Sequence, residues 1–228
     1  MINKNKKNIG AKTSVQKIGK DLDFASVEAY NLLRTNISFS LPDKKSGKVI
    51  GITSPCPQEG KSTTSLNLSY SLAEAGNKVL LIDADMRRPS ISKMLELPKS
   101  PGLSNVLTED TEGAIKNGVL TENLSVLFSG DIPPNPSELV ASKKMEEYIK
   151  KFESIYDYVI VDLPPVISVS DPIAMSKNID GMIMVVRHGH TKKRDVTEAM
   201  RQLELVGANV LGFVYNGSVK NRHSYHAF

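Results

Sequence analysis

Gly60, Lys61 and Ser62 lie in the stretch SPCPQEGKSTT (54–64), and three aspartates follow at the ends of apolar runs. Asp83 and Asp85 stand in LLIDADMRRP (80–89), and Asp162 in VIVDLPP (159–165). A loop of the pattern G-x-x-x-x-G-K-[ST] between a strand and a helix aims backbone N–H groups at phosphate oxygens. Its lysine reaches the β and γ phosphates, and its Ser or Thr hydroxyl ligates magnesium. The glycine that opens the pattern is replaced here by Pro55, a residue of fixed φ that still allows a turn. Carboxylates beside such a loop suit magnesium, a hard cation that takes oxygen ligands and keeps several waters. The chemistry in view is nucleotide hydrolysis or phosphoryl transfer, with one carboxylate to spare as a base.

These side chains need a scaffold that brings strand ends to one edge. The runs KVIGITS (48–54), KVLLIDAD (78–85), LSVLFSG (124–130), YVIVDLP (158–164), GMIMVVR (181–187) and NVLGFVYN (209–216) are apolar without strict alternation, as in strands buried on both faces. Helical patterns over 61–75, 136–154 and 192–205 lie between them. The expected fold is α/β and P-loop NTPase-like, with a mostly parallel central sheet and helices on both faces. Asp83 and Asp85, two apart on an extended chain, should point the same way, toward the carboxyl edge where ligands bind. At 135–138, Asn135 reads as a helix cap, Pro136 as the first helical residue and Glu138 as the other half of a capping box.

Composition narrows the function class. The 228 residues suit one globular domain, and the single cysteine, Cys56, builds neither an internal disulfide nor a multi-cysteine zinc site. No apolar run reaches membrane-spanning length and no secretory signal opens the chain, so a cytoplasmic location is expected. The net charge of +4 rests on Lys4, Lys6, Lys7, Lys12, Lys17 and Lys20, in a first stretch without acids. The rest of the chain is slightly acidic, which argues against a nucleic-acid partner. Residues 1–20 read as a solvated, flexible tail, with attraction to an anionic membrane surface or acidic partner as the functional alternative. Residues 21–216 form the catalytic domain in this reading, and 217–228 a C-terminal tail. The basic stretch RHGHTKKRD (187–195) opens a helix against its dipole, so it reads either as solvated surface or as a place an anion visits.

Taken together, EAYNLLRTNI (28–37), TSPCPQEGKST (53–63), LLIDADMRRP (80–89), GLSNVL (102–107), SGDIPPNPSELVAS (129–142) and YDYVIVDLPP (156–165) give the chain a clear likeness. It resembles the bacterial tyrosine autokinases of capsule and exopolysaccharide synthesis, in their stand-alone cytoplasmic Gram-positive form. The resemblance implies transfer of the γ-phosphate of ATP to tyrosine, with ATP and Mg²⁺ as cofactors. It implies that Lys61 clamps phosphate, that Ser62, Asp85 and Asp162 hold magnesium, and that Asp83 is the base for the tyrosine hydroxyl. It extends nucleotide binding to Gln58, Glu59, Gly60, Thr63 and, through adenine, Asn216. Arg87 and Arg88 could meet phosphate or an acidic substrate. It also implies a membrane adaptor that recruits and activates the chain at the inner face of the membrane, a homo-oligomer and a cognate tyrosine phosphatase.

Three departures from the family pattern stand out. Gln58 replaces a glycine of the loop. The oligomerisation pattern E-x-x-R-x-x-R keeps Glu28 and Arg34 but has Asn31 at the middle arginine, which predicts a weaker oligomer, since asparagine forms no bidentate pair with a carboxylate. The usual tail cluster of tyrosines is reduced to Tyr225, the expected phosphate acceptor. Two other readings remain open: a regulatory ATPase of the partition or division-site type, and a nucleotide-binding interaction protein without transfer. Cys56 stands where partition-type ATPases carry a second lysine, and with Asp85 and the lack of an amphipathic C-terminal membrane helix it favours the kinase.

Overall fold

A computed structural model describes residues 17–217. Seven strands form one sheet: β1 (Lys48–Thr53), β2 (Val79–Asp83), β3 (Ile115–Lys116), β4 (Leu124–Leu127), β5 (Tyr158–Asp162), β6 (Gly181–Arg187) and β7 (Val210–Asn216). Their order is β3-β4-β2-β5-β1-β6-β7, and every neighbouring pair is parallel except β3 with β4. The helices are α1 (Phe24–Ser40), α2 (Lys61–Glu74), α3 (Ile91–Met94), α4 (Leu103–Glu109), α5 (Pro136–Ala141), α6 (Lys143–Glu153), α7 (Asp171–Met175) and α8 (Lys193–Leu205).

The apolar runs are central strands because both faces are covered. Within β1, Val49 packs into one hydrophobic cluster while Ile50 and Ile52 pack into the other. The first cluster is closed by Val140, Met145, Phe152, Ala199 and Leu203 from α5, α6 and α8. The second is closed by Ile37 of α1, Leu66, Leu68 and Leu72 of α2, and Ile91 of α3. Burial on two sides leaves no room for alternation, and the expected α/β class with helices on both faces is what forms.

Three local expectations are corrected. The single helix expected over 136–154 is two helices, because Ser142 is extended (φ −69°, ψ 154°). Its hydroxyl accepts from Met145 N and donates to Leu139 O, stopping α5 and capping α6 in one residue. At the start of α5, Asn135 makes no side-chain bond to the backbone; its amide donates instead to the Glu138 carboxylate at 2.6 Å. The second strand ends at Asp83, and Asp85 lies just before the following turn, where its Oδ1 accepts from Arg88 N at 3.0 Å. Asp85 thus lies two residues beyond the strand that the sequence reading extended to it.

The consequence for the site is topological. β1 lies between β5 and β6, so the turn from β1 into α2 sits within the sheet's carboxyl edge, flanked by strands on both sides. Asp83 and Asp162 are register partners at the ends of adjacent β2 and β5. Thr53, ending β1, donates from its hydroxyl to Pro164 O at 2.7 Å, and Val166 N donates to Ser54 O, so the turns after β1 and β5 are tied together.

Candidate active site

The turn from β1 into α2 holds an unusual backbone. Gln58 has φ +63° and Gly60 φ +95°, both in the left-handed region. Gly60 needs its lack of a side chain twice over: a Cβ there would lie 2.1 Å from the Asn216 amide nitrogen. Pro55 is not among the positive-φ residues and is buried, so the opening position asks for no glycine. Gln58 does occupy a glycine-like conformation with a side chain, which costs a non-glycine residue about 1–2 kcal/mol. Its side chain is exposed, so nothing in packing offsets that cost. Gln58→Gly is therefore expected to raise stability by about 0.5–1 kcal/mol after the flexibility glycine adds to the unfolded chain. A higher urea midpoint would show it; an unchanged or lower one would mean that Gln58 makes an offsetting contact.

Lys61 opens α2 and its ammonium lies among acids. Nζ is 2.9 Å from Asp85 and 3.4 Å from Asp162, and it is also 3.3 Å from Ser62 Oγ. Burial alone would lower the lysine pKa, but the fields of Asp162 and Asp85 outweigh it, and the net shift is upward. Asp162 is fully buried, and its Oδ1 accepts from Ser65 Oγ at 3.1 Å, one turn along α2 from Lys61. Burial raises its pKa against the opposing pull of Lys61.

Asp83 is the least satisfied of the three. Its Oδ2 accepts a long 3.4 Å bond from Ile91 N, and its Oδ1 is buried without a hydrogen-bond partner. Burial, then repulsion from Asp162, pushes its pKa up to about 8. Because the folded value lies above the ordinary 3.8, the folded state holds this proton more tightly than the unfolded chain does. The associated stability is complete below about pH 4 and is lost as pH rises toward about 8. Asp83→Asn, which carries no charge at any pH, should flatten this part of the pH dependence and stabilise the protein most near pH 8. Urea midpoints at pH 5 and pH 8 test it; a wild-type slope retained by the variant would overturn it.

Ser62, Asp85 and Asp162 put oxygens within 3.4 Å of the Lys61 ammonium, and Asp83, whose Oδ1 is buried and partnerless, acts on the same lysine. Among the described residues, no three His, Cys, Asp or Glu side chains form a ready metal cage. Magnesium does not require one, since it commonly binds through one or two carboxylates with water and substrate phosphate. The donor set fits that mode.

The remaining expected residues divide into two groups. Glu59, Gly60 and Thr63 lie with Lys61 and Ser62 in the loop and first turn of α2, but the Glu59 side chain is fully buried and its oxygens are engaged by Cys56 N at 2.9 Å and by the Thr191 hydroxyl. Asn216 donates to Glu59 O at 2.9 Å, so it braces the loop. Glu28 and Arg34 are on α1, where Asn31 donates to Glu28 and Arg34 donates to Ser71 O at 2.7 Å in the last turn of α2. The arginine expected at a subunit interface thus has a partner in its own chain, at a helix end that favours a cation. Tyr225 lies outside the described residues.

Sequence reasoning missed three contributors, Ser65, Thr191 and Asp171, and misassigned the partner of a fourth. Ser65 carried one cue, its place one turn after Lys61 on the same helix face. Thr191 lay inside the basic stretch noticed for its charges. Arg87, considered for phosphate, binds Asp171 at 3.2 Å and Ser137 at 2.7 Å, joining the turn after β2 to α5 and α7. Asp171 itself is fully buried and had no sequence cue beyond its place before Pro172.

A family model described as an AAA domain matches residues 47–210. Tyrosine-protein kinase YwqD of Bacillus subtilis is 39% identical over 204 residues, covering 88% of this chain and 85% of that protein. The kinase domain of Escherichia coli tyrosine kinase ETK superposes with TM-score 0.81 at 31% identity, covering 89% of this chain and 79% of that one. The septum site-determining protein MinD of Pyrococcus horikoshii, solved with Mg-ADP, reaches TM-score 0.62 at 28% identity over 74% of this chain and 70% of its own.

Proposed function

The chain belongs to the bacterial tyrosine-protein kinases, and from that premise we propose that it is an ATP-dependent autokinase serving capsular or exopolysaccharide synthesis, with Tyr225 as acceptor. The observation that carries the reading is the lysine placed 2.9 Å from Asp85 and 3.4 Å from Asp162 at the start of α2, beside a buried Asp83 oxygen with no partner.

In this reading, Lys61 exchanges its carboxylate partners for β- and γ-phosphate oxygens as ATP enters. Backbone N–H groups of the loop through residue 63 hold the same phosphates, helped by the positive end of α2. Ser62, Asp85 and Asp162 would hold magnesium, the aspartates through its waters, and the ion supplies neutralisation of phosphate charge. Asp83, in its ionised form, accepts the phenol proton while the tyrosine oxygen forms a bond to the γ-phosphorus and the bond to the ADP oxygen breaks. Positioning and charge neutralisation provide most of the rate, because phosphoryl transfer asks little covalent chemistry of the protein.

No helix among the described residues is long and apolar enough to cross a membrane. The reading includes a cytoplasmic chain that a membrane adaptor recruits and activates through its cytoplasmic tail, self-association weakened by Asn31, and a tyrosine phosphatase that resets the tail. The test is incubation of the full chain with ATP and magnesium, with and without the adaptor tail, and mapping of phosphate by mass spectrometry. Phosphotyrosine at Tyr225 is expected. ADP without phosphotyrosine would replace this reading by the regulatory ATPase, and ATP binding with neither product by an interaction protein.

A further inference from the structure

We propose that Thr191, in the turn between β6 and α8, is a positioning residue that holds the phosphate loop in its ATP-gripping shape through Glu59. It rests on the kinase reading only for the nature of the nucleotide.

The loop does not keep its shape by backbone preference alone. Two of its residues in three, Gln58 and Gly60, sit at positive φ, flanking Glu59. Glu59 is fully buried, so its carboxyl points into the protein and not at phosphate. One oxygen accepts from Cys56 N and closes the loop across three residues; the other accepts from the Thr191 hydroxyl, 132 positions away. That hydroxyl is itself aimed by the Arg187 N–H, which donates to it at 2.7 Å.

The ends of β6 and β7 add two further ties. The Arg187 guanidinium donates to Gln58 O at 3.0 Å, and the Asn216 amide donates to Glu59 O. Those two bonds hold carbonyls, whereas Thr191 holds the side chain that itself closes the loop on Cys56 N. When that side chain is released, the loop samples other shapes, and the apparent affinity for ATP falls by the fraction still competent. The basic run 187–195 contributes through Arg187 and through its threonine, which fastens the loop from outside α2.

The experiment uses the full chain, a fluorescent N-methylanthraniloyl ATP with magnesium, and steady-state transfer. Thr191→Val, which keeps the branched shape, should weaken nucleotide binding about tenfold, a loss of about 1.4 kcal/mol. KM for ATP should rise in parallel, kcat should change less than threefold, and Thr191→Ser should bind within about twofold of wild type. Glu59→Gln should weaken binding similarly, and the double variant Thr191→Val/Glu59→Gln should be no weaker than the worse single one. Wild-type affinity in Thr191→Val, failure of serine to rescue, or additive losses in the double variant would each overturn the proposal. If wild type binds nucleotide but transfers nothing to tyrosine, the kinase reading fails while the binding series still decides this one.

Discussion

Lys61→Met is expected to lower tyrosine phosphorylation by at least about 10³-fold, the scale on which a single positioned charge stabilises phosphoryl transfer. The same substitution tests what the lysine does without nucleotide. Its ammonium is the cation in contact with Asp85 and Asp162 in a pocket where Asp83 and Asp162 are fully buried. Methionine matches the stem in length and leaves the carboxyls uncompensated, a loss that for buried pairs runs to about 3 kcal/mol. The remaining carboxyls then hold protons to higher pH, so the deficit should be larger at pH 8 than at pH 5. Radiolabel transfer and urea unfolding at both pH values check the two halves. Transfer within tenfold of wild type would remove Lys61 from the chemistry, and unchanged stability would remove it from the acid cluster's balance.

Gly60→Ala is expected to weaken ATP binding about 100-fold. An alanine at φ +95° carries a left-handed cost of about 1–2 kcal/mol. Its Cβ would meet the Asn216 amide nitrogen at 2.1 Å, so Asn216 must leave and its bond to Glu59 O is lost, about 1 kcal/mol more. Asn216→Ala alone should cost only about fivefold, the worth of that bond. The double variant Gly60→Ala/Asn216→Ala removes the collision and keeps the backbone cost, so it should bind ATP no worse than Gly60→Ala. Nucleotide titration decides it; a double variant showing the product of the two single losses would mean that the two residues do not meet.

What the sequence discloses about the site depends on separation along the chain. Lys61 and Ser62 were legible because a phosphate loop is a local pattern, and Asp83 and Asp162 because each ends an apolar run that only a buried strand explains. Asp85 was legible as an acid but misplaced by two residues of strand, since the strand stops at Asp83 and the Asp85 carboxylate closes the next turn onto Arg88 N. Contacts across the sheet left no such trace. Thr191 to Glu59, and Arg87 to Asp171 at a separation of 84, join segments that become neighbours only when the strand order is known. Strand β3, two residues long and antiparallel at the edge, is too short for any periodicity to show. The break at Ser142 did leave a cue, a serine three residues before Met145, hidden because α5 and α6 share one apolar face.

The position of Lys61 among the acids gives the nucleotide-free protein a built-in counter-ion, tethered to α2 at one end and held electrostatically at the other. In the proposed cycle, loading the site is an ion exchange: incoming charge displaces a cation the chain already owns, and on product release that cation returns. In the nucleotide-free chain this one flexible side chain is what stands between Asp85 and Asp162 and an unpaired buried charge.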